Sequence, residues 1–126
     1  MAVLDARDLV KAANRQAILT PVADIADYLQ DVLGSRLVAY TAGVKDTKTV
    51  TRWAHGEAEA RQDSEERLRT AYEIAYLLKE FDSPRVVKAW FIGLNPQLDD
   101  TSPAEAIHDG RLKDTLAAAR AFITGG

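Results

Sequence analysis

Apolar residues recur every three or four positions along most of the chain, which is the spacing of amphipathic helices. One clear stripe contains Ile25, Leu29, Val32 and Leu33 and stops at Gly34. No stretch shows the sustained alternation of a half-buried strand, and no Asn-Gly pair marks a hairpin turn. The pattern therefore predicts an all-α fold of seven or eight short helices.

Punctuating residues predict where these helices begin and end. The first 18 residues form a separate amphipathic helix around Leu4, Leu9 and Val10. The next helix should begin at Thr20-Pro21, with Thr20 as the cap and proline in the first turn. Two short helices are expected next, one at residues 35–42 that Gly43 stops and one from Asp46 or Thr47 to Gly56. A further helix should begin at Ser83-Pro84, with Val86, Val87, Trp90 and Phe91 facing inward.

Two helices are expected at the end of the chain. The first begins at Ser102-Pro103, where Glu105 completes a capping box, and ends at Gly110; the second carries Leu112, Leu116, Ala119 and Ile123.

A longer helix near the middle of the chain carries apolar residues on two faces. Asp63 and Glu66 form a capping box at its start, and the apolar pattern continues to about Phe81. One face contains Leu68, Ala71, Tyr72, Ala75 and Leu78, and the other contains Ile74, Leu77 and Phe81. A helix that is apolar on two sides usually packs between two sets of partners. We therefore predict that it joins two units, residues 1–62 and residues 63–126.

Residues 35–57 have the sequence pattern of a helix-turn-helix. Ala39 and Ala42 are small enough for close packing, Gly43 suits the turn, and Val50 and Trp53 face inward from the second helix. Four bases and one acid leave residues 34–56 with a local charge of +3 (4 − 1), while residues 57–82 carry −4 (4 − 8). We predict that the outer face of the second helix binds DNA, through Lys45, Thr47, Lys48, Thr49, Thr51 and Arg52. The alternative is a helical hairpin whose charges are only solvated.

The composition narrows the function classes further. The chain has 126 residues, no cysteine and a net charge of −3, and no apolar run approaches the roughly 20 residues that span a bilayer. We expect no signal peptide and a bacterial or phage cytoplasmic location. The two histidines, His55 and His108, lack a third ligand at metal spacing and are expected to be solvated at helix ends. With no catalytic triad and no phosphate-binding glycine loop, we predict neither an enzyme nor a metal or cofactor site.

The chain from about Leu33 onward resembles the Xre/MbcA/ParS-type antitoxins. The residues that carry this resemblance are Val50-Thr51-Arg52-Trp53 with Gly56 in the first unit and, in the second, Ala89-Trp90, Asn95-Pro96, Leu98, Ser102-Pro103, Ile107, Gly110 and Leu116. The resemblance implies an N-terminal helix-turn-helix and a C-terminal domain that binds a toxin, typically a RES-domain enzyme that consumes NAD. It also implies that the complex represses its own promoter.

The resemblance directs attention to the loop after Asn95 and to the last helix. Residues predicted to contact the toxin are Asn95, Asp99, Asp100, Lys113, Arg120, Phe122 and Ile123. The terminal AFITGG is expected to enter a narrow cleft near the toxin's NAD pocket, with Phe122 as anchor. The partners are thus a toxin, promoter DNA and, we expect, further copies of the chain. A stand-alone transcriptional regulator or phage repressor, whose C-terminal helices only dimerise, is the alternative.

Overall fold

The computed structural model describes residues 5–80 and 83–125, and this part of the chain is all-helical, as predicted. A one-turn 3-10 helix, Pro96–Leu98, follows α6, and an isolated bridge joins Asn95 to Thr101. None of the described helices is long and apolar enough to cross a membrane. The eight α-helices are α1 (Ala6–Leu19), α2 (Val22–Leu33), α3 (Ser35–Ala42), α4 (Thr47–Ala54), α5 (Gln62–Lys79), α6 (Pro84–Ile92), α7 (Pro103–His108) and α8 (Leu112–Thr124).

Two of the predicted helix caps are confirmed by hydrogen bonds. Asp46 accepts a hydrogen bond from the amide of Lys48 at 2.8 Å, and the Ser102 hydroxyl accepts one from the amide of Glu105 at 3.1 Å. Each cap satisfies one of the amides that the first turn of a helix leaves without a partner.

Two other predicted caps are wrong. Thr20 belongs to the end of α1, because its amide donates to Gln16 and its side chain caps nothing in α2. Helix α5 begins at Gln62, one residue before the predicted cap Asp63. Asp63 therefore lies in the first turn, where its negative charge still favours the helix through the macrodipole.

Helix α5 lies at the centre of the fold and packs against α1, α2, α3, α6, α7 and α8. Its apolar residues Leu68, Ala71, Ile74, Ala75, Leu77 and Leu78 are all buried, which confirms the two-sided packing predicted from the sequence. Tyr72 is only half-buried, and Phe81 lies outside the described residues. One main apolar cluster runs from Leu9 in α1 to Ala119 in α8, so the two predicted units share a continuous core around α5.

Helix α6 buries less of its surface than its sequence predicts. Val87 and Phe91 are buried, but Val86 is exposed and Trp90 is only half-buried. The expectation that all four residues face inward is therefore wrong for Val86 and half right for Trp90. Trp90 packs both against the main core and over a small second cluster of Leu98, Ala106 and Ala118, and is partly exposed.

Two arginines of α5 hold the ends of neighbouring helices. Arg67 Nε donates to the carbonyl oxygens of Ile107 and His108 at the end of α7. Arg69 Nη1 donates to the carbonyl oxygens of Ala17 and Thr20 at the end of α1. The last carbonyls of a helix have no partner within it and attract cations, so these contacts fix both helix ends against α5.

Candidate functional site

The α3–α4 pair is held by a tight turn of residues 43–46. Gly43 adopts a left-handed conformation with φ of 84°, which glycine reaches without steric cost, and the amide of Val44 then donates to the Ala39 carbonyl at 2.9 Å. Val50 and Trp53 are buried, as predicted. The buried Ser64 hydroxyl donates to the Ala42 carbonyl at 2.9 Å, so the end of α3 is fixed to α5.

The outer surface of α4 carries most, but not all, of the residues predicted to meet DNA. Lys45, Lys48 and Arg52 are exposed, and Thr47 and Thr49 are half-buried. Thr51 does not face outward as expected. Its hydroxyl accepts a hydrogen bond from Gln30 of α2 at 3.1 Å and donates to the carbonyl oxygen of Thr47 at 3.4 Å. Thr51 therefore fixes α4 to α2. This helix presents two cations, Lys48 and Arg52, and two partly buried hydroxyls, while Lys45 lies in the turn before it.

A groove of about 390 Å³ lies beside α4, between α3 and the end of α7. Its lining residues are Arg36, Ala39, Tyr40, Gly43, Val44, Lys45, Thr47 and His108. Two cations of the N-terminal half, Arg36 and Lys45, and the imidazole of His108 in the C-terminal half therefore line the same groove. Arg36 was not among the predicted DNA-binding residues, although it belongs to the same basic segment.

His108 is fixed against α3, so the expectation of a solvated residue at a helix end is wrong for it. Its Nδ1 lies 2.6 Å from the carbonyl oxygen of Tyr40, and its ring stacks on the Tyr40 ring with centroids 4.4 Å apart. Because a carbonyl oxygen only accepts, Nδ1 must carry the hydrogen. Burial raises the pKa of Tyr40, and the charges of Glu105 and Asp109 raise it further. His55, in contrast, is exposed beside Glu57.

The loop of residues 95–101 is built around Asn95. The side-chain oxygen of Asn95 accepts a hydrogen bond from the amide of Gln97 at 2.9 Å, and the backbone carbonyl oxygen of Asn95 accepts from the amides of Leu98 and Asp100. Asp99 and Asp100 both adopt left-handed conformations, with φ of 58° and 62°. Aspartate is one of the few residues besides glycine that adopt this conformation, and the hydrogen bonds to the Asn95 backbone carbonyl close the turn around it. The loop is therefore a defined, preformed surface.

Arg111 connects this loop to α8, a role that its sequence context did not indicate. Its guanidinium lies 3.3 Å from the Asp99 carboxylate and 3.3 Å from that of Asp114, and donates to the Leu98 carbonyl at 3.4 Å. Asp99 therefore has a structural contact as well as an exposed carboxylate. Asp100 is exposed, and so is Lys113 on α8.

Beside the loop lies an open apolar groove of about 430 Å³, here named the Trp90–Phe122 groove. Its lining residues are Trp90, Asn95, Pro96, Gln97, Ala118, Ala121, Phe122 and Gly125. The Trp90 and Phe122 rings lie 6.4 Å apart, and small alanines of α8 separate them. Phe122 is 49% exposed, and the nearby segment adds Ile92 at 55% and Leu94 at 75%. The structure thus brings together Asn95 and Phe122, two of the predicted toxin-binding residues.

Two other predicted contacts and the expected tail are placed differently. Arg120 does not point freely outward, because its Nη2 lies 3.4 Å from the carboxylate of the buried Glu73 in α5. Ile123 is half-buried against the main core. The AFITGG segment is not an extended tail up to Gly125, since α8 continues to Thr124 and Gly125 caps it with φ of 77°. Gly126 lies outside the described residues.

Titratable side chains of residues 5–80 and 83–125 form no group of three or more that could hold a metal ion. We find no match to this chain among protein-family models, curated proteins or solved structures.

Proposed function

We propose that this protein is an antitoxin that binds and inhibits a partner toxin through the Trp90–Phe122 groove and binds its own promoter DNA through α4. The observation that carries the proposal is the exposed apolar surface of the groove. A half-exposed phenylalanine lies beside a half-buried tryptophan, and Ile92 and Leu94 in the segment that follows Trp90 are also exposed, so several apolar side chains of this part of the chain meet solvent. Aromatic residues of this kind are typical anchors of protein interfaces.

The groove has features that suit an inhibitor. The loop of residues 95–101 is preformed by the hydrogen bonds of Asn95, so little conformational entropy is lost when a partner binds. The polar side chains of Asn95 and Gln97 line the same groove as its apolar residues. Such an apolar centre with polar surroundings is the usual organisation of a protein interface. In line with the resemblance, the proposed partner is a RES-domain toxin that consumes NAD.

The DNA-binding half of the proposal is supported by the charges of α4 and of the groove beside it. Arg36, Lys45, Lys48 and Arg52 are all exposed, although the chain as a whole has a net charge of −3. Promoter binding should therefore weaken with salt, with a log–log slope of about −0.9 for each phosphate contacted.

The test of toxin inhibition is a co-expression and enzyme assay with the product of the neighbouring toxin gene. Full-length protein should suppress NAD hydrolysis, and Phe122→Ala should weaken inhibition by about 2 kcal/mol in binding free energy, roughly thirtyfold. Val86→Ala is the matched control, because Val86 is an exposed apolar residue outside the groove. Equal inhibition by wild type and Phe122→Ala would show that this groove does not contact the toxin.

Promoter binding needs its own assay, a titration of the upstream region at several salt concentrations. Arg52→Ala should weaken binding by about 1–3 kcal/mol if Arg52 contacts a base edge. Arg61→Ala, which removes an exposed base outside α4, is the control. Promoter binding without any inhibition of a neighbouring toxin would favour the alternative function, a stand-alone regulator. Absence of DNA binding at low salt would overturn the DNA-binding half alone.

A further inference from the structure

Two consecutive helices expose charges that are mainly of opposite sign. The bases of helix α1, Arg7, Lys11 and Arg15, are exposed and are here named the basic row, and α1 exposes one acid beside them, Asp8 in its first turn. Helix α2 presents Asp24, Asp27 and Asp31, here named the acidic row, and it contains no basic residue at all. All six side chains are exposed, and none forms an ion pair with another residue of the described ranges 5–80 and 83–125.

This sorting of charge is unfavourable for each helix by itself. Like charges four residues apart, as in Arg7 and Lys11 or in Asp27 and Asp31, destabilise an isolated helix. Arg7 lies in the first turn of α1 and Asp31 in the last turn of α2, so each has the sign that the helix macrodipole disfavours. In α5, by contrast, residues four positions apart carry opposite charges, and Glu65 forms an ion pair with Arg69 at 2.9 Å. The two rows are thus arranged for something outside their own helices.

The two rows also match each other in length. At about 1.5 Å of rise per residue, Arg7 to Arg15 spans about 12 Å and Asp24 to Asp31 spans about 10.5 Å. In an antiparallel alignment, Arg7 meets Asp31, Lys11 meets Asp27, and Arg15 lies within about 1.5 Å of the level of Asp24. Antiparallel helices also bring opposite dipole ends together.

An apolar contact continues beyond the charged rows. Ile18 and Leu19, at the end of α1, are 65% and 63% exposed. Ile18 continues the same face of α1, because it follows Arg15 by three positions and Lys11 by seven. With the rows in register, Ile18 lies about 16.5 Å past Arg7, which is level with residues 20–22 of a second copy. That stretch includes Pro21, which is exposed, and Val22, which is half-buried.

We propose that a second copy of this chain binds here, with the basic row of α1 in one copy against the acidic row of α2 in the other. The inference does not depend on the proposed function, because it uses neither the Trp90–Phe122 groove nor α4. Charge complementarity sets the register and orientation of the two copies, while Ile18 and Leu19 supply the apolar contact. Since each chain carries both rows, one dimer can make the pairing twice.

The test reverses each row separately. One variant combines Arg7→Glu, Lys11→Glu and Arg15→Glu, and the other combines Asp24→Lys, Asp27→Lys and Asp31→Lys. The changes at Arg7 and Asp31 give their helix ends the favoured charge, which helps both variants to fold, and circular dichroism checks this. A control triple variant, Arg61→Glu, Arg85→Glu and Lys113→Glu, reverses the same number of exposed bases outside the rows.

Sedimentation equilibrium at low salt should show wild type and the control as dimers of twice the 13.8 kDa chain mass. Each reversed variant alone should dissociate with a dissociation constant raised by about tenfold or more, because the three attractions in each of the two contacts become repulsions. An equal mixture of the two reversed variants should restore the dimer, since every pairing is then between opposite charges. Raising salt from about 0.01 M to about 1 M should dissociate the wild-type dimer, because the Debye length falls from about 30 Å to about 3 Å.

Three results would overturn the proposal: a wild type that stays monomeric at low salt, folded reversed variants that remain dimers, or a mixture that stays monomeric. If wild type is monomeric and the basic row instead proves necessary for binding DNA, the row is a nucleic-acid surface and the proposal also fails. Dimer formation in the mixture of the two reversed variants would support the proposed pairing of α1 with α2 without any toxin or promoter.

Discussion

Replacing Arg120 with methionine should destabilise the fold and loosen α8, the helix that carries Phe122. Glu73 is buried in the central helix α5, and its carboxylate lies 3.4 Å from Arg120 Nη2. Methionine retains much of the apolar stem of arginine but removes the charge, so Glu73 would be left without its cation.

The expected loss of stability follows from how deeply the pair is buried. Removing one partner of a fully buried ion pair costs about 3–5 kcal/mol. The Arg120 side chain is 41% exposed, however, and the side chain of Glu73 only 9%. Water can therefore reach the charge through the arginine side, which reduces the cost of Arg120→Met to about 1–3 kcal/mol. Adding Glu73→Gln to Arg120→Met should restore much of this loss, because no buried charge then remains.

The pH dependence gives a second, independent measurement. Burial raises the pKa of Glu73 above its ordinary value of 4.5, although the Arg120 charge and the hydrogen bonds from Asn14 and Arg120 act against this. Between 4.5 and the raised pKa, the folded protein holds a proton that the unfolded chain has lost. The contribution of Glu73 to the free energy of unfolding is therefore full below pH 4.5 and decreases as pH rises through the raised pKa. Glu73→Gln should remove this decrease.

Urea denaturation followed by tryptophan fluorescence and by circular dichroism measures both effects. Glu66→Gln, an exposed glutamate of the same helix, controls for the loss of one charge. If Arg120→Met unfolds with the same free energy as wild type, the ion pair does not fix α8 to α5. If Glu73→Gln keeps the full pH dependence of wild type, the buried carboxyl of Glu73 is not its source. If Arg120→Met is destabilised but the double variant is no better, the loss comes from packing rather than from an unpaired charge.

The remaining predictions concern the packing and the turns. Phe91→Ala should destabilise by about 3–5 kcal/mol in urea titrations, whereas Trp90→Ala should cost less because Trp90 is half-buried, and equal losses would contradict this difference. Ser102→Ala should cost about 1 kcal/mol by removing the cap of α7, with Ser83→Ala, which makes no side-chain cap contact, as a control that should change little. Gly43→Ala should lower the melting temperature, because its φ of 84° is strained for alanine; an unchanged melting temperature would indicate that the turn rearranges.

The existence of the helices was predictable from the spacing of apolar residues, and so was the burial of both faces of α5. Local chemistry also predicted the caps at Asp46 and Ser102, since a short side chain needs only its own turn to make that bond. The same kind of pattern failed at Thr20 and Asp63. At both positions a neighbouring residue could begin the helix equally well, and the structure uses that residue instead.

The candidate surfaces were predictable only where exposure follows from helix periodicity. The exposure of Lys48, Arg52 and Phe122 agrees with their positions on the outer faces of α4 and α8. Periodicity could not reveal that Thr51 bonds to Gln30, because that bond joins residues 21 positions apart in the chain. His108 seemed solvated for the same reason, since its partner Tyr40 lies 68 positions away.

The helical class, the central position of α5 and the opposite local charges of residues 34–56 and 57–82 could all be predicted without coordinates. These depend on the order and spacing of residues, which act locally. Which polar side chains pair with each other depends on how the helices pack. Arg67, Arg69 and Arg120 look alike as isolated cations in the sequence, yet the first two hold helix ends and the third pairs with a buried glutamate. A long flexible side chain can reach many acceptors, and packing alone determines which acceptor lies within hydrogen-bonding distance.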